Sequence, residues 1–405
     1  MVQSRESVVI DTDPGIDDAL AILFMLLSPE VHVRAITLTH GNTSLDDVKR
    51  NAVTILNVMR DHNAARGVVI PNDELPVLAV GCERPLRRAL ISATYFHGSD
   101  GLGETHAKGL HAAPPDWEQQ LIHDAKELAD KEAPASNAKA FRTTSRDAAD
   151  EILHQLKTSP PLTVSLLAVG PLTNLALAYE RDPVTFSRAK RILIMGGAIN
   201  QPGNVSPTAE FNFCADPYAA DVVLATSKGF KHTPEGYEER LNLIEQDKQA
   251  PCQVVILPLD GSEDGNISRE LYQKYILPNK GKNPVSTFCN AFLIWSFEVV
   301  SRLYSIETLS PYDAYTALLC LDMIQDKGDG QGNPEFEKNW QYSRLDLRVE
   351  TEGMYTQGMC IYDRRSWSKG KPAWGDEPNN VQVILRGNGP RFTKIFMNRV
   401  FEAPV

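Results

Sequence analysis

Short apolar runs rich in Val, Ile and Leu recur along the chain, at Val8–Ile10, Val33–Thr39, Leu162–Val169, Arg191–Met195 and Val254–Leu259. Between them, Ile16–Leu27, Asp46–Arg60, Leu172–Arg181 and Asp216–Thr226 carry apolar residues three and four positions apart, which is the helical period. Runs without polar alternation suit strands buried on both faces. Strands alternating with helices predict an α/β fold, a mostly parallel central sheet flanked by helices. In such sheets ligands bind beyond the carboxyl ends of the strands, so the loop after each apolar run is a candidate for chemistry.

Three stretches depart from this rhythm. Residues 112–146 are polar and rich in Ala, Lys, Asp and Glu, and predict a surface excursion with one helix. Residues 228–251 are charged and lack a clear period, and residues 365–380, with Trp, Pro, Gly and Lys, read as a loop. None has the composition of a linker between independent units. The chain, 1–405, is therefore expected to be a single domain with insertions near 112–146, 228–251 and 365–380.

Composition narrows the function classes. With 405 residues, 42% of them hydrophobic, the chain can bury a sizeable core. Its 41 basic and 52 acidic residues give a net charge of −11. An acidic surface repels polyanions, which argues against nucleic acid or an anionic membrane and for a small, weakly charged substrate. The six cysteines, Cys82, Cys214, Cys252, Cys289, Cys320 and Cys360, form no CxxC pair, the pattern of buried thiols in a reducing compartment. The N-terminus shows no apolar signal-peptide core. No apolar run approaches the ~18–20 residues of a membrane span. A cytoplasmic protein is the expectation.

The first strand runs into Asp11-Thr12-Asp13-Pro14-Gly15-Ile16-Asp17-Asp18-Ala19, placing four carboxylates within eight residues. One or two Asp there would be ordinary helix caps. Four around one turn repel each other and ionise cheaply only beside a cation or hydrogen-bond donors. Asp17 and Asp18 are adjacent on a helix and point about 100° apart, so one can bind a metal while the other reaches a substrate hydroxyl. Carboxylate ligation with no nearby His or Cys favours Ca²⁺ or Mg²⁺ over zinc.

This segment resembles the N-terminal signature of the inosine-uridine-preferring nucleoside hydrolases. Further blocks resemble that family in the same order: Gly41-Asn42, Gly81–Leu86, His97–Gly103, Val169-Gly170-Pro171-Leu172-Thr173-Asn174, Met195–Ala198, Gly203-Asn204, Ala209–Phe213 and Asp216-Pro217. Beyond residue 225 the anchors are Pro311–Ala314 and Asn380–Val383. The resemblance implies a nucleoside-hydrolase fold with a Rossmann-like core, a bound Ca²⁺ and a nucleoside substrate. It further implies a role in purine or pyrimidine salvage and a homodimer or homotetramer.

The resemblance also implies roles for particular residues. Asp13 would be the catalytic base and touch the metal. Asp18, the Val169 carbonyl and Asp313 would complete the metal's protein ligands. Asp17, Asn42, Asn204, Glu210, Asn212 and Asp313 would hold the ribose, with Asp11 supporting the cluster from behind. The chemistry would be hydrolysis of an N-glycosidic bond through an oxocarbenium-like transition state, with Asp13 deprotonating a water positioned by the metal.

One departure bears on the substrate. Many family members carry a His immediately before the last Asp, and here that position is Tyr312. The family's Thr-His after the preceding strand reads Ser262-Glu263. Tyr312 could donate a proton or stack, and Trp295 could pack on a base or be an ordinary core aromatic. His97 is either a rival acid in a Gly-rich loop or a satisfied surface histidine. Two other readings compete: a calcium-dependent nucleoside- or ribose-binding protein without turnover, and a phosphatase of the haloacid dehalogenase type.

Overall fold

The computed structural model describes residues 5–123, 139–324, 333–365, 374 and 377–405. Its frame is a nine-stranded sheet. In chain order the first seven strands are β1 (Glu6–Thr12), β2 (Val31–Leu38), β3 (Val77–Val80), β4 (Arg142–Thr143), β5 (Val164–Ala168), β6 (Ile192–Met195) and β7 (Val254–Leu257). Two C-terminal strands, Gln341–Leu345 and Val381–Arg386, complete it. From one edge the order is Gln341–Leu345, Val381–Arg386, β7, β6, β5, β1, β2, β3, β4. Every pairing is parallel except that of Gln341–Leu345 with Val381–Arg386.

All five predicted apolar runs are strands of this sheet, and all four predicted helical stretches are helices. β1 lies inside the sheet, with Asp11 opposite Thr37 of β2 on one side and Ala168 of β5 on the other. The chain winds outward in both directions from β1. The crevice beyond its carboxyl end is the topological switch point, where open α/β sheets bind ligands.

One apolar core covers each face of the sheet. On one side pack α1 (Ile16–Leu26), α2 (Leu45–Ala65) and the helices Pro284–Tyr304, Tyr312–Ile324 and Gly389–Phe401. On the other pack Ala148–Thr158, Thr173–Arg181 and Pro217–Ala225. α1 is buried on nearly every side and packs against Tyr312–Ile324. That contact brings the N-terminal acidic turn next to residues some 300 positions later.

The irregular stretches hold more order than their composition suggests. Residues 228–251, read as aperiodic, contain the helix Pro234–Glu245, capped by the Thr233 side chain on the Gly236 N–H. Its buried positions are Gly236, Arg240 and Ile244. The spacing is helical, but a glycine and an arginine hide it from a hydropathy pattern. Arg240 donates to the carbonyls of Ser187, Ala189 and Lys190, clamping this helix to the turn before β6. Within 112–146 lie the expected helix, Trp117–Gln120, and the edge strand β4. Residues 124–138 of that stretch, and most of 365–380, lie outside the described residues.

Candidate active site

The turn after β1 is built by its own side chains. Asp18 is the third residue of α1, and its Oδ2 accepts the Gly15 N–H at 3.0 Å, closing a capping box at the helix start. Oδ2 also accepts the Asn42 Nδ2–H at 2.8 Å, while Oδ1 accepts the Thr12 hydroxyl at 2.5 Å and the Asp13 N–H at 3.2 Å. Asp13 is fully buried. Its Oδ2 accepts the Asn42 backbone N–H at 2.7 Å. Its Oδ1 has no hydrogen-bond partner among the described residues. Bare backbone closes in on both oxygens: a Cβ on Gly41 would fall 1.9 Å from Oδ2, and one on Gly170 would fall 2.5 Å from Oδ1. Asp11 sits behind, its Oδ1 accepting from Thr37 and Asn174.

Asp313, on the first turn of Tyr312–Ile324, meets this turn from the opposite layer. One carboxylate oxygen each from Asp17, Asp18 and Asp313 lies within 4.8 Å of the others. Asp13 is not part of this trio. The Val169 carbonyl follows β5 and accepts the Asn212 Nδ2–H at 2.9 Å. Glu210 caps the short helix Phe211–Ala215, its carboxylate accepting the N–H groups of Asn212, Phe213 and Gly197 at 2.8, 3.1 and 2.9 Å. Asn204, on the exposed loop before it, accepts the Phe211 N–H at 2.9 Å.

The electrostatics follow from burial. Asp13 and Asp313 are pushed well above the usual carboxylate range, first by burial and then by neighbouring aspartates. Asp17 is raised to about 8 by burial and the Asp18 charge, and Asp11 to about 7 by burial. Burial also raises Asp18 and Glu210. Such a group ionises cheaply only beside a cation or hydrogen-bond donors. The donors are all oxygen, so a hard divalent ion fits them better than zinc.

A cavity of about 420 Å³ opens onto this cluster, a size suited to a small organic ligand. Asp17, Asn42, Val169, Asn204, Glu210, Asn212 and Asp313 all line it; Asp13 and Asp18, both fully buried, are not among its described lining residues. Its lining is also aromatic, with Tyr95, Phe96, Phe211, Tyr304 and Tyr312. Sequence reading missed Tyr95, Phe96 and Tyr304, although they adjoin the His97–Gly103 block and close the long helix. Tyr312 is raised to about 12 by burial and the nearby Glu263 charge.

Two side chains differ from a simple reading of the sequence. Trp295 is absent from the cavity lining and instead donates its Nε1–H to the Phe96 carbonyl at 2.9 Å. It packs on Gly103, where a Cβ would come within 2.7 Å of the indole. His97 is no surface residue. It is 7% exposed, and its Nδ1 accepts the Ile16 N–H at 3.1 Å. Burial lowers it to about 3, so the ring is neutral.

Comparison with known proteins decides the family. Residues 8–394 match the sequence profile of the inosine-uridine preferring nucleoside hydrolases. The chain belongs to that family. It is 35% identical to the probable uridine nucleosidase 2 of Oryza sativa subsp. japonica over 93% of this chain and 88% of that protein. It is 34% identical to the uridine nucleosidase 1 of Arabidopsis thaliana, where the match spans about 60% of each chain. The solved structure of a plant nucleoside hydrolase has the same fold, with a TM-score of 0.69 at 23% identity, over 99% of this chain and 100% of that one. The large, mostly parallel sheet is therefore the nucleoside-hydrolase fold, and the haloacid dehalogenase alternative falls away. The chain is a nucleoside hydrolase-family enzyme.

Proposed function

We propose that this enzyme hydrolyses the N-glycosidic bond of ribonucleosides, releasing free base and ribose, with calcium held at the acidic turn. The observation that carries this reading is Asp13: a buried carboxylate with one oxygen fixed by the Asn42 N–H and the other unpartnered among the described residues. A carboxylate so placed is a proton acceptor in waiting. Burial raises its proton affinity, and a stronger base takes a proton from water more readily.

Asp13, Asp18, Asp313 and the Val169 carbonyl would hold the cation, with Asp17 adjoining them. A divalent ion, when bound, offsets the carboxylate charge and acidifies water. Asp13 takes the proton of the attacking water as oxygen joins C1′ and the C1′–N bond breaks toward the base. Asp17, Asn42, Asn204, Glu210, Asn212 and Asp313 hold the ribose hydroxyls. Clamping the ring at several points supplies orientation energy that a free nucleoside lacks. Glu210 and Asn212 are themselves locked by backbone hydrogen bonds, so ribose would meet a preorganised surface. The products suit purine and pyrimidine salvage in the cytoplasm. All six cysteines are free, as a reducing compartment requires, and no helix of the described residues is long and apolar enough to cross a membrane.

Ribose release from uridine and inosine, with and without a calcium chelator, tests the proposal. Turnover abolished by chelation and restored by calcium is the expected result. Calcium binding without turnover would leave a nucleoside-binding protein. No effect of calcium on turnover would overturn the metal assignment.

A further inference from the structure

The loop that carries Asn204 is held from distant parts of the chain. Its root is Ile199 and Asn200, shortly after β6, and the next four residues, Gln201 to Asn204, line the cavity. Asp260, just after β7, accepts the N–H groups of Ile199 and Asn200, one on each carboxylate oxygen and both at 2.8 Å. Tyr362 donates its hydroxyl to Asn200 Oδ1 at 2.9 Å, and Arg364 donates to the Ile199 carbonyl at 2.5 Å. The Arg364 guanidinium lies over the Tyr362 ring, 4.8 Å from its centroid, so these two side chains brace each other. Two residues of the root thus meet three side chains that lie 60 to 165 positions away in sequence.

The tip of the loop has weaker ties. Its backbone bonds from Gly203 to Pro207, and from Val205 and Ser206 to Ala209, are all 3.4 Å long. The Tyr95 hydroxyl reaches the Asn204 carbonyl only at 3.5 Å. Such lengths exceed the roughly 2.7–3.2 Å of a well-made N–H···O bond. The Ser206 hydroxyl accepts the Ala209 N–H at 3.0 Å, which closes the turn on itself without tying it to the wall. Asn204 Oδ1 accepts the Phe211 N–H at 2.9 Å, which fixes one end of the amide. The backbone beneath that amide takes its position from the root.

Resting on the proposed hydrolysis, we propose that Asp260, Tyr362 and Arg364 are positioning residues, which hold Asn204 where it meets the ribose. None of the three is among the cavity's lining residues, so their effect on turnover passes through the loop. A loop already ordered loses less freedom when substrate binds. The clamp therefore acts on KM more than on kcat.

A double-mutant cycle tests this, reading ribose release from uridine by the full chain with calcium supplied. Tyr362→Phe keeps the ring under Arg364 and removes one hydrogen bond; Asp260→Asn keeps the shape and weakens two. Each is expected to lower kcat/KM about 3- to 10-fold, mainly by raising KM. With Asn204→Ala already in place, each should change kcat/KM by less than about twofold, because effects that act through one residue are not additive. A purely structural defect would lower activity alike in both backgrounds. Equal losses with and without Asn204, or no loss in the native background, overturn the inference while leaving hydrolysis in place. An Asn204→Ala enzyme with unchanged kcat/KM overturns it too. If the native enzyme releases ribose from neither uridine nor inosine, the proposed hydrolysis fails and the inference falls with it.

Discussion

Asn42 holds Asp18 through its side-chain amide at 2.8 Å, and its backbone N–H holds Asp13 at 2.7 Å. One residue in the loop after β2 therefore fixes two carboxylates at the turn after β1. Removing the side chain in Asn42→Ala keeps the backbone bond to Asp13 and takes one of four hydrogen bonds from Asp18. Loss of such a supporting contact costs about 10–100-fold in metal affinity or activity. Calcium titration of ribose release is expected to reach half-maximum at a higher calcium concentration in this variant, and an unchanged titration curve would contradict the role.

Asp13→Asn keeps the shape of the side chain and removes its charge. A general base contributes about 10²–10⁴ in rate, and a kcat loss of that order is expected. In metal-free protein the same change removes a buried carboxylate whose ionisation burial and Asp18 oppose. Its Tm above pH 7 should therefore not fall below that of the unmodified chain. A mutant that is both inactive and strongly destabilised would point to a structural role instead.

The acidic cluster also sets how calcium acts with pH. Asp11 and Asp17 are raised to about 7 and about 8 in the folded protein. In the metal-free state they contribute stability in acid that is lost as pH rises through those values. A cation requires the ionised carboxylates and releases their protons on binding. The Tm increase given by calcium over chelator should thus be larger at pH 8 than at pH 5.5. Comparing the two states at each pH cancels groups remote from the cluster. His40 and His232, each lowered to about 4 by burial, act the other way, losing stability as pH falls below their unfolded values. Equal shifts at both pH values would argue against ion binding at this cluster.

Trp295 acts on the cavity wall. Trp295→Phe keeps the aromatic contact with Gly103 but removes the hydrogen bond to the Phe96 carbonyl. A net loss of about 1 kcal/mol is expected for one such bond. Phe96 and His97 line the cavity, so KM is expected to rise several-fold while kcat changes little. A kcat defect at unchanged KM would show that this wall takes part in the chemical step.

Most of the sheet was legible because buried parallel strands write themselves as unbroken Val/Ile/Leu runs. β3, β4, Gln341–Leu345 and Val381–Arg386 were not predicted as strands. β3 has four residues and β4 two, Gln341–Leu345 is a partly exposed edge strand with the sequence QYSRL, and Val381–Arg386 is broken by Gln382. The acidic turn was legible for a different reason: its residues are contiguous, and like charges side by side are costly unless something uses them. Asp313 could be linked to that turn only through family resemblance, because packing of α1 on Tyr312–Ile324 joins them across the fold. The aromatic part of the cavity lining was the least legible. Tyr95, Tyr304 and Glu263 come from three separate segments and have no periodicity in common, and Trp295 could not be placed outside the cavity before the loop it supports was seen.

Gly41 and Gly170, whose missing side chains let Asp13 fit, give that carboxylate surroundings unlike the aromatic wall of the cavity. Main chain closes on it, and a methyl group on Gly41 would fall 1.9 Å from its Oδ2. Substitution there has nowhere to go, and in a mutational scan both glycines should prove as intolerant as the aspartate they enclose. The aromatic wall is made of side chains on loops and helix ends, which can be exchanged one at a time. An engineer wishing to change which base is accepted could therefore work at Tyr95, Glu263, Tyr304 and Tyr312 and leave the hydrolytic apparatus untouched.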